Sequence, residues 1–334
     1  MASKLAVLLG AGASHDLIGA ATATVIDDYR PPLTAEIFGC GPDFTMRESF
    51  QAILETYQGA RRLAATIGIS VKGGQSLEAV LQGLQDSCDP NTKRHFWDIP
   101  RYLQHLFGAI SDKYTTEPVN YTHLVHAVLT SELEQVAFVT TNYDLFLESA
   151  LTSVTETKFD SLATYVPNSK WMLVKLHGSV NWARAIRQRT MRGDVVLDYE
   201  FSGEVEFLHH FSRIEDRQYP AVVVPVDGKY GFICPRGHVT AVKSVLASCD
   251  NFLIIGMSGK DQDLLDLLQE CITTCTRLAV VGGEDASSVL QSFQKGVNKF
   301  IVGTPQTAPP VIFTDGFSRF LQSGMLDRFL KPIR

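Results

Sequence analysis

Residues 135–150, which read QVAFVTTNYDLFLESA, have the pattern of a buried β-strand that runs directly into a polar turn and then into a helix. The β-branched and aromatic run at 136–139 favours a central strand of a parallel sheet that is covered on both faces. The turn that follows holds Thr141, Asn142 and Asp144 at the end of the strand, where open α/β sheets bind their ligands. The same side chains also suit the N-cap of the next helix, so this turn alone predicts either a ligand contact or a cap.

Two other segments show the same succession of strand and turn. Residues 5–9 are apolar and lead into GAGAS at 10–14, and such a glycine turn presents backbone N–H groups and a helix start to a pyrophosphate. Residues 172–176 have the pattern of another strand, which is followed by His177 and Gly178. A histidine beside a glycine at a strand end is a candidate proton acceptor with room for a ligand. Taken singly, each segment is also consistent with a plain turn.

Together the three turns resemble the sirtuin-like (silent information regulator) family, whose NAD site combines a GAGxS turn, a T-x-N-x-D turn and an H-G turn in this order. The resemblance implies an α/β fold with a doubly wound, mostly parallel Rossmann-like sheet and a helical insertion after the first strand-helix unit. It implies catalytic roles for Asn142, His177 and Asp144. It implies NAD contacts at Gly10, Ala11, Gly12, Ser14, Thr141, Gly256, Ser258 and Gly282.

The rest of the chain predicts one domain with two insertions. A single sirtuin-like catalytic domain is expected over residues 1–334, with a helical insertion at 31–134 and an irregular insertion at 184–219. For residues 184–219 a lid, a small β excursion and an assembly surface remain open. Helices are predicted at 46–67, 76–86, 96–114, 119–133 and 264–272, with breaks at 73–74 and 89–91. Further strands are predicted at 221–225, 252–256, 278–281, 299–302 and 311–313, and turns at 227–229 and 234–238.

Composition bears on the binding partners of the protein and on its cellular compartment. The chain has 334 residues, 45% of them hydrophobic, and a net charge of -6, which gives no electrostatic reason to expect nucleic-acid binding. Six scattered cysteines favour a reducing cytoplasm. The apolar run at 5–9 is shorter than the roughly 7 to 15 residues of a signal-peptide core. No stretch approaches the roughly 20 apolar residues of a membrane span, so no membrane partner is expected.

Cysteine spacing separates this chain from one branch of the family that it resembles. Deacylases of the family hold a structural zinc with two C-x-x-C pairs, whereas Cys271 and Cys275 lie one helical turn apart without a second pair. We therefore predict no metal, and read these two cysteines as buried helix residues. A second departure is that residues 31–34, PPLT, stand where sirtuins carry an Asp-Phe-Arg motif.

The resemblance is nearest to sirtuin-like NADases of bacterial anti-phage defence, and it implies hydrolysis of NAD to nicotinamide and ADP-ribose. Asn142 would hold the nicotinamide ribose and place a water, His177 would take a proton, and Asp144 would bind the carboxamide. The alternatives are an NAD-dependent protein deacylase and a non-catalytic nucleotide-binding assembly subunit. Relatives that act beside a ring-forming ATPase or an Argonaute suggest a homo-oligomer with a regulatory partner protein.

Overall fold

A computed structural model describes residues 3–17, 29–39, 46–114, 119–167, 169–192, 195–210, 217–226, 232–300 and 309–331. Nine strands lie in these ranges: β1 (Lys4–Leu9), β2 (Gln135–Thr140), β3 (Trp171–Lys175), β4 (Gly178–Arg192), β5 (Val195–Phe207), β6 (Gln218–Val222), β7 (Asn251–Ile255), β8 (Arg277–Val281) and β9 (Val311–Phe313).

Six of these strands form the central sheet, in the order β3-β2-β1-β7-β8-β9. All five neighbouring pairs are parallel. Every residue of β3 and β7 is buried, so the side chains on both faces of the sheet are covered, as expected for strands with continuous apolar runs. The predicted doubly wound parallel fold is confirmed. Chain order reverses between β1 and β7, which is the place where such sheets bind ligands.

Helices flank the sheet and fill the long connection between β1 and β2. The described α-helices are α1 (Ala11–His15), α2 (Glu48–Glu55), α3 (Gln58–Lys72), α4 (Leu77–Gln85), α5 (Pro90–Phe96), α6 (Asp98–Tyr114), α7 (Val119–Thr130), α8 (Phe146–Thr155), α9 (Arg236–Leu246), α10 (Gln262–Cys271), α11 (Ala286–Gly296), α12 (Gly316–Gln322) and α13 (Met325–Leu330). Helix α10 contacts α9 and α11 in one layer, and α7 contacts α8, α12 and α13 in another.

The predicted helical segment between β1 and β2 is present as α2 to α7, with two differences in its boundaries. The helix predicted at 46–67 is broken between Glu55 and Gln58. The predicted break at 89–91 is in fact the start of α5. Its cause is capping, because the Asp89 carboxylate accepts a hydrogen bond from the Thr92 N–H at 2.8 Å and Pro90 occupies the first helical turn.

A second sheet accounts for most of the segment whose role the sequence left open. Strands β5, β4 and β6 form an antiparallel sheet in that order, so the described part of residues 184–219 is a β excursion. An aromatic cluster of Trp97, Tyr199, Phe201 and Tyr219 packs it against the helical segment, with ring centroids 5.0–6.2 Å apart. These large apolar rings supply the burial that a short antiparallel sheet needs.

Three predicted boundaries differ in the region after β4. The strand predicted at 221–225 is β6, which ends at Val222. The turn predicted at 234–238 is wrong, because α9 begins at Arg236. In place of the strand predicted at 299–302, Asn298–Phe300 form a 3-10 helix, and the remainder lies outside the described residues, as does the turn at 227–229. No helix within the described ranges is long and apolar enough to cross a membrane.

Candidate functional site

The turns that follow β1, β2, β3, β7 and β8 line one cavity at the carboxyl edge of the sheet. Its volume is about 750 Å³, within the range of roughly 300 to 1,000 Å³ that small-molecule sites occupy. The predicted site residues all line it: Gly10, Ala11, Gly12, Ser14, Thr141, Asn142, Asp144, His177, Gly256, Ser258 and Gly282. Motifs that are far apart in the sequence thus meet at the reversal between β1 and β7.

The glycines of the first turn bring its backbone against the turn after β7. The Gly10 N–H donates to the Ile255 carbonyl at 3.0 Å, and the Gly12 N–H donates to the Gly256 carbonyl at 2.9 Å. A Cβ on Gly10 would lie 2.6 Å from the Gly256 oxygen, and Gly256 has φ +63° with a Cβ position 2.1 Å from the Ala13 nitrogen. Glycine is required here by the contact between the two turns, and the N–H groups of Gly10 and Gly12 are used in that contact, so they are not the N–H groups that could face a pyrophosphate.

A buried hydrogen-bond network joins the first two turns. The Ser14 hydroxyl donates to Asp144 Oδ2 at 2.7 Å, and Asn142 Nδ2 donates to Ser14 Oγ at 2.9 Å. Tyr121, from α7, lies with its hydroxyl 2.8 Å from Ser14 Oγ. Since the single Ser14 proton goes to Asp144, the Tyr121 hydroxyl is the donor to Ser14. Tyr121 is a site residue that the sequence did not predict, because it lies in the helical segment far from any strand end.

The network fixes the orientation of the Asn142 side chain. One Nδ2 proton goes to the Gly10 carbonyl at 2.9 Å, and the other goes to Ser14 Oγ. The Gly10 carbonyl can only accept hydrogen bonds, so the amide atom beside it must be nitrogen. Both amide protons are thereby occupied, and Asn142 Oδ1 is the polar atom that remains for a ligand. Asn142 thus offers the cavity an acceptor.

Asp144 is held within this network and is only 4% exposed. Its Oδ2 accepts from Ser14, and its Oδ1 accepts from the Phe146 N–H at 3.3 Å, at the start of α8. Burial raises the pKa of the Asp144 carboxyl, and the nearby Lys175 ammonium and Ser14 hydroxyl oppose that rise. The Asp144 carboxylate therefore positions Ser14 and the start of α8. Asp144 also lines the cavity.

The His177 turn is fixed by the second sheet. The His177 carbonyl accepts from the Val223 N–H at 2.9 Å. Gly178 has φ +86°, and a Cβ at this residue would lie 1.7 Å from the Ala221 oxygen. No other residue fits this close approach, so the glycine beside the histidine serves the junction of the two sheets. The His177 side chain is 21% exposed and lines the cavity. Its backbone is held by the hydrogen bond from Val223.

His177 contacts a carboxylate that follows a different strand. Its Nε2 lies 2.9 Å from Asp261 Oδ2, whereas Asp261 Oδ1 caps α10 by accepting from the Leu264 N–H at 3.0 Å. Oδ2 has no aligned hydrogen-bond donor within the described residues. Burial acts to raise the pKa of Asp261, but His177 and the N–H groups of Leu264 and Asp263 outweigh it, so the pKa is lowered. The sequence did not predict this contact, because His177 and Asp261 follow different strands.

A buried ion pair supports the turn that carries Asn142. Lys175, the last residue of β3, is 1% exposed, and its Nζ lies 2.9 Å from Glu148 Oε1 on α8. The ammonium also donates to the Asp144 carbonyl and, at 3.4 Å, to the Tyr143 carbonyl. Tyr165 donates to Glu148 Oε1 at 3.1 Å. The sequence did not reveal this pair, since a lysine at a strand end has the pattern of an exposed residue.

The rim of the cavity includes the segment where the Asp-Phe-Arg motif is missing. Arg30 Nε donates to the His15 carbonyl at 2.9 Å, and His15 Nδ1 lies 2.9 Å from the Pro31 carbonyl. Burial, aided by the Arg30 charge, lowers the pKa of His15. The Glu36 carboxylate accepts from the Leu33 N–H at 2.8 Å. These contacts, in place of those of an Asp-Phe-Arg motif, form this wall of the cavity. The Arg30 guanidinium adds a positive charge to it.

Cysteine and histidine positions give no metal site in the part of the chain that the structure describes. No group of three or more histidine, cysteine or acidic side chains there has the arrangement to hold a metal ion. Cys271 and Cys275 are buried free thiols, but the prediction that both are helix residues is wrong for Cys275, because α10 ends at Cys271 and Cys275 lies in the segment before β8.

Comparisons with known proteins place these turns in context. Residues 136–294 match a protein family described as the SIR2-like domain. Among solved structures, a complex of a Sir2 homolog with NAD is 13% identical with a TM-score of 0.43, over 99% of this chain and 91% of that chain. A structure on the mechanism and regulation of Sir2 enzymes is 12% identical with a TM-score of 0.40, over 98% and 94% of the two chains. No curated protein sequence matches the chain.

The matched segment contains the turns after β2, β3, β7 and β8, but it begins after the glycine turn of β1. Asn142, His177 and Asp261 lie inside it. Residues 136–294 are similar to the SIR2-like domain family, in agreement with the resemblance that the turns show in the sequence.

Proposed function

We propose that the protein hydrolyses NAD at the bond between nicotinamide and ribose, giving nicotinamide and ADP-ribose. The observation that carries the proposal is that Asn142 and His177 line one cavity together with the glycine turns at 10–14 and 256–259. A dinucleotide needs a long cavity at strand ends with a glycine turn near its phosphates, and its cleavage needs a base at one end. The similarity of residues 136–294 to the SIR2-like domain supports the same substrate.

The cavity residues have distinct tasks in this reaction. As the C1′–N bond breaks, its electron pair goes to the nicotinamide nitrogen, and C1′ gains positive charge. Asn142 Oδ1, the free acceptor of its amide, takes a hydrogen bond from the attacking water or from a ribose hydroxyl and so orients it. His177 takes the proton as the water oxygen bonds to C1′. The proton then passes from His177 to solvent, which balances the reaction.

The resemblance assigned the carboxamide to Asp144, but its contacts favour a supporting role. Both of its oxygens are occupied by Ser14 and Phe146, so in our proposal it keeps Ser14, and through it Asn142, in place. Thr141 is half-buried at the cavity and is available for the carboxamide side of the substrate.

The adenosine half is expected at the turns after β7 and β8, where Ser258 is exposed to the cavity. Ser258→Ala should raise KM for NAD several-fold and leave kcat nearly unchanged, because it removes a hydrogen bond made equally in the ground and transition states. Steady-state kinetics over a range of NAD concentrations measures both quantities. Ser153→Ala, an exposed serine on α8, is the matched control. An unchanged KM for the Ser258 variant would rule out adenosine recognition at this residue.

The direct test of the proposed reaction is nicotinamide release from NAD by the purified protein without any acylated peptide. Release under these conditions supports the hydrolase. Release that depends on an acetyl-lysine peptide would instead identify a deacylase. Binding of NAD without release, both alone and together with the neighbouring gene product, would identify the non-catalytic subunit, a function that has no need of a histidine and carboxylate 2.9 Å apart at the cavity.

We also propose that this activity depletes NAD in bacterial anti-phage defence, under the control of a partner protein. An unregulated NADase would drain its own cell, so restraint by assembly is expected. The exposed faces of the helical segment α2 to α7 and of the second sheet are the candidate surfaces for a homo-oligomer and for a partner such as a ring-forming ATPase or an Argonaute. Hydrolysis measured over a dilution series, with and without the neighbouring gene product, tests this. A fully active monomer at every concentration would contradict it.

A further inference from the structure

The contact between His177 and Asp261 joins residues from distant strands. His177 follows β3, and Asp261 follows β7, two strands that are separated in the sheet by β2 and β1. The side chains nevertheless meet at 2.9 Å between Nε2 and Oδ2, with 21% and 23% of their surfaces exposed. The contact therefore links two turns that both line the cavity.

The two carboxylate oxygens of Asp261 have different contacts. Oδ1 caps α10 through the Leu264 N–H, which holds the carboxylate rigidly. Oδ2 is buried, and the nearest donor that the structure places beside it is the His177 ring. The negative charge of the Asp261 carboxylate, 2.9 Å from Nε2, favours a proton on that nitrogen. With Nε2 protonated, the basic lone pair of a neutral imidazole is on Nδ1.

We propose that Asp261 is the positioning residue of His177: its carboxylate, 2.9 Å from Nε2, keeps the proton of the neutral imidazole on Nε2, so that Nδ1 is the atom that accepts the proton from the substrate side. The inference rests on the proposed hydrolase function for its kinetic consequence, but its structural part stands on the His177–Asp261 contact alone. During the reaction the proton lost by water binds to Nδ1, the imidazole becomes a cation, and the Asp261 carboxylate stabilises that charge.

The chain offers a substitution that separates this role from capping. Asparagine caps helices about as well as aspartate, so Asp261→Asn keeps the start of α10 while it removes the negative charge. Asp89→Asn makes the same change at the cap of α5, far from the cavity, and is the matched control. Comparable thermal midpoints for the two variants would show that both folds are intact.

The first readout does not require activity. In ¹⁵N NMR spectra of ring-labelled protein without NAD, at a pH where the imidazole is neutral, His177 should be the Nε2–H tautomer in the wild type. It should change toward a mixture of tautomers in Asp261→Asn and remain unchanged in Asp89→Asn. The assignment comes from the signal that is missing in His177→Ala. Identical His177 spectra in the wild type and Asp261→Asn would overturn the proposal.

The second readout is kinetic. Asp261→Asn should lower kcat at least about tenfold with little change in KM, a smaller loss than the roughly 10⁴-fold seen for a fully buried triad carboxylate, because this pair is partly exposed. A rise in kcat would overturn the proposal, since it would mean that the pair blocks the cavity. If the wild type releases no nicotinamide with or without the neighbouring gene product, the hydrolase function fails, while the NMR result still decides whether Asp261 sets the tautomer.

Discussion

Replacing His177 by alanine is expected to lower nicotinamide release by about 10²- to 10⁴-fold, the usual contribution of a general base. The side chain is partly exposed at the cavity and contacts Asp261, so its removal takes away a proton acceptor and little core packing. The fold should therefore remain intact. Initial rates of nicotinamide release, with circular dichroism and thermal unfolding of the same samples, measure both parts of the prediction.

His123→Ala is the control for this experiment, because His123 is exposed on α7 and does not line the cavity. It should leave activity and stability unchanged. Activity of the His177 variant within about threefold of the wild type would remove His177 from the chemistry. A loss of stability of about 2 to 5 kcal/mol, as for a core truncation, would assign the residue a structural role instead.

The central sheet was predictable because each of its inner strands is a continuous apolar run. Residues 136–139 and β7 are covered on both faces, so their hydrophobicity does not depend on register. The second sheet was not predictable. Its long strand β4 reads GSVNWARAIRQRTMR, whose second half is mostly polar or charged, and the aromatic rings that pack this sheet against the helical segment come from other elements. Such nonlocal packing leaves no periodic pattern.

The motifs of the candidate site were predictable because each follows a strand in the sequence, and parallel strands bring their carboxyl ends to one edge. The residues that contact those motifs were not predictable from the sequence. Tyr121 reaches Ser14 from α7, and Asp261 reaches His177 across two intervening strands. Nothing in the spacing of these residues encodes the contacts, which depend on strand order and on the path of the helical segment.

The ion pair beneath the Asn142 turn gives the largest expected effect on stability. Lys175 and Glu148 are 1% and 5% exposed, and their charged atoms lie 2.9 Å apart. Lys175→Met would leave the Glu148 carboxylate buried without its cation, which typically costs about 3 to 5 kcal/mol. Chemical denaturation of the purified variant, followed by fluorescence and circular dichroism, measures the change in unfolding free energy.

The control for burial is Lys243→Met, because Lys243 and Glu270 form an ion pair with the same 2.9 Å separation on the exposed surface of α9 and α10. Exposed pairs contribute little, so this variant should unfold at nearly the same denaturant concentration as the wild type. A large loss of stability in both lysine variants would contradict the argument from burial.

The double variant Lys175→Met/Glu148→Leu separates the charge pair from its effect on the site. Replacing both charges by apolar side chains removes the uncompensated carboxylate, so much of the stability lost in Lys175→Met should return. Activity should not return with it, because the ammonium that binds the Tyr143 and Asp144 carbonyls is still absent and the turn carrying Asn142 loses that support. If instead the two substitutions destabilise additively, the buried pair is not a coupled unit. If stability and nicotinamide release recover together, Lys175 has no part in holding the turn.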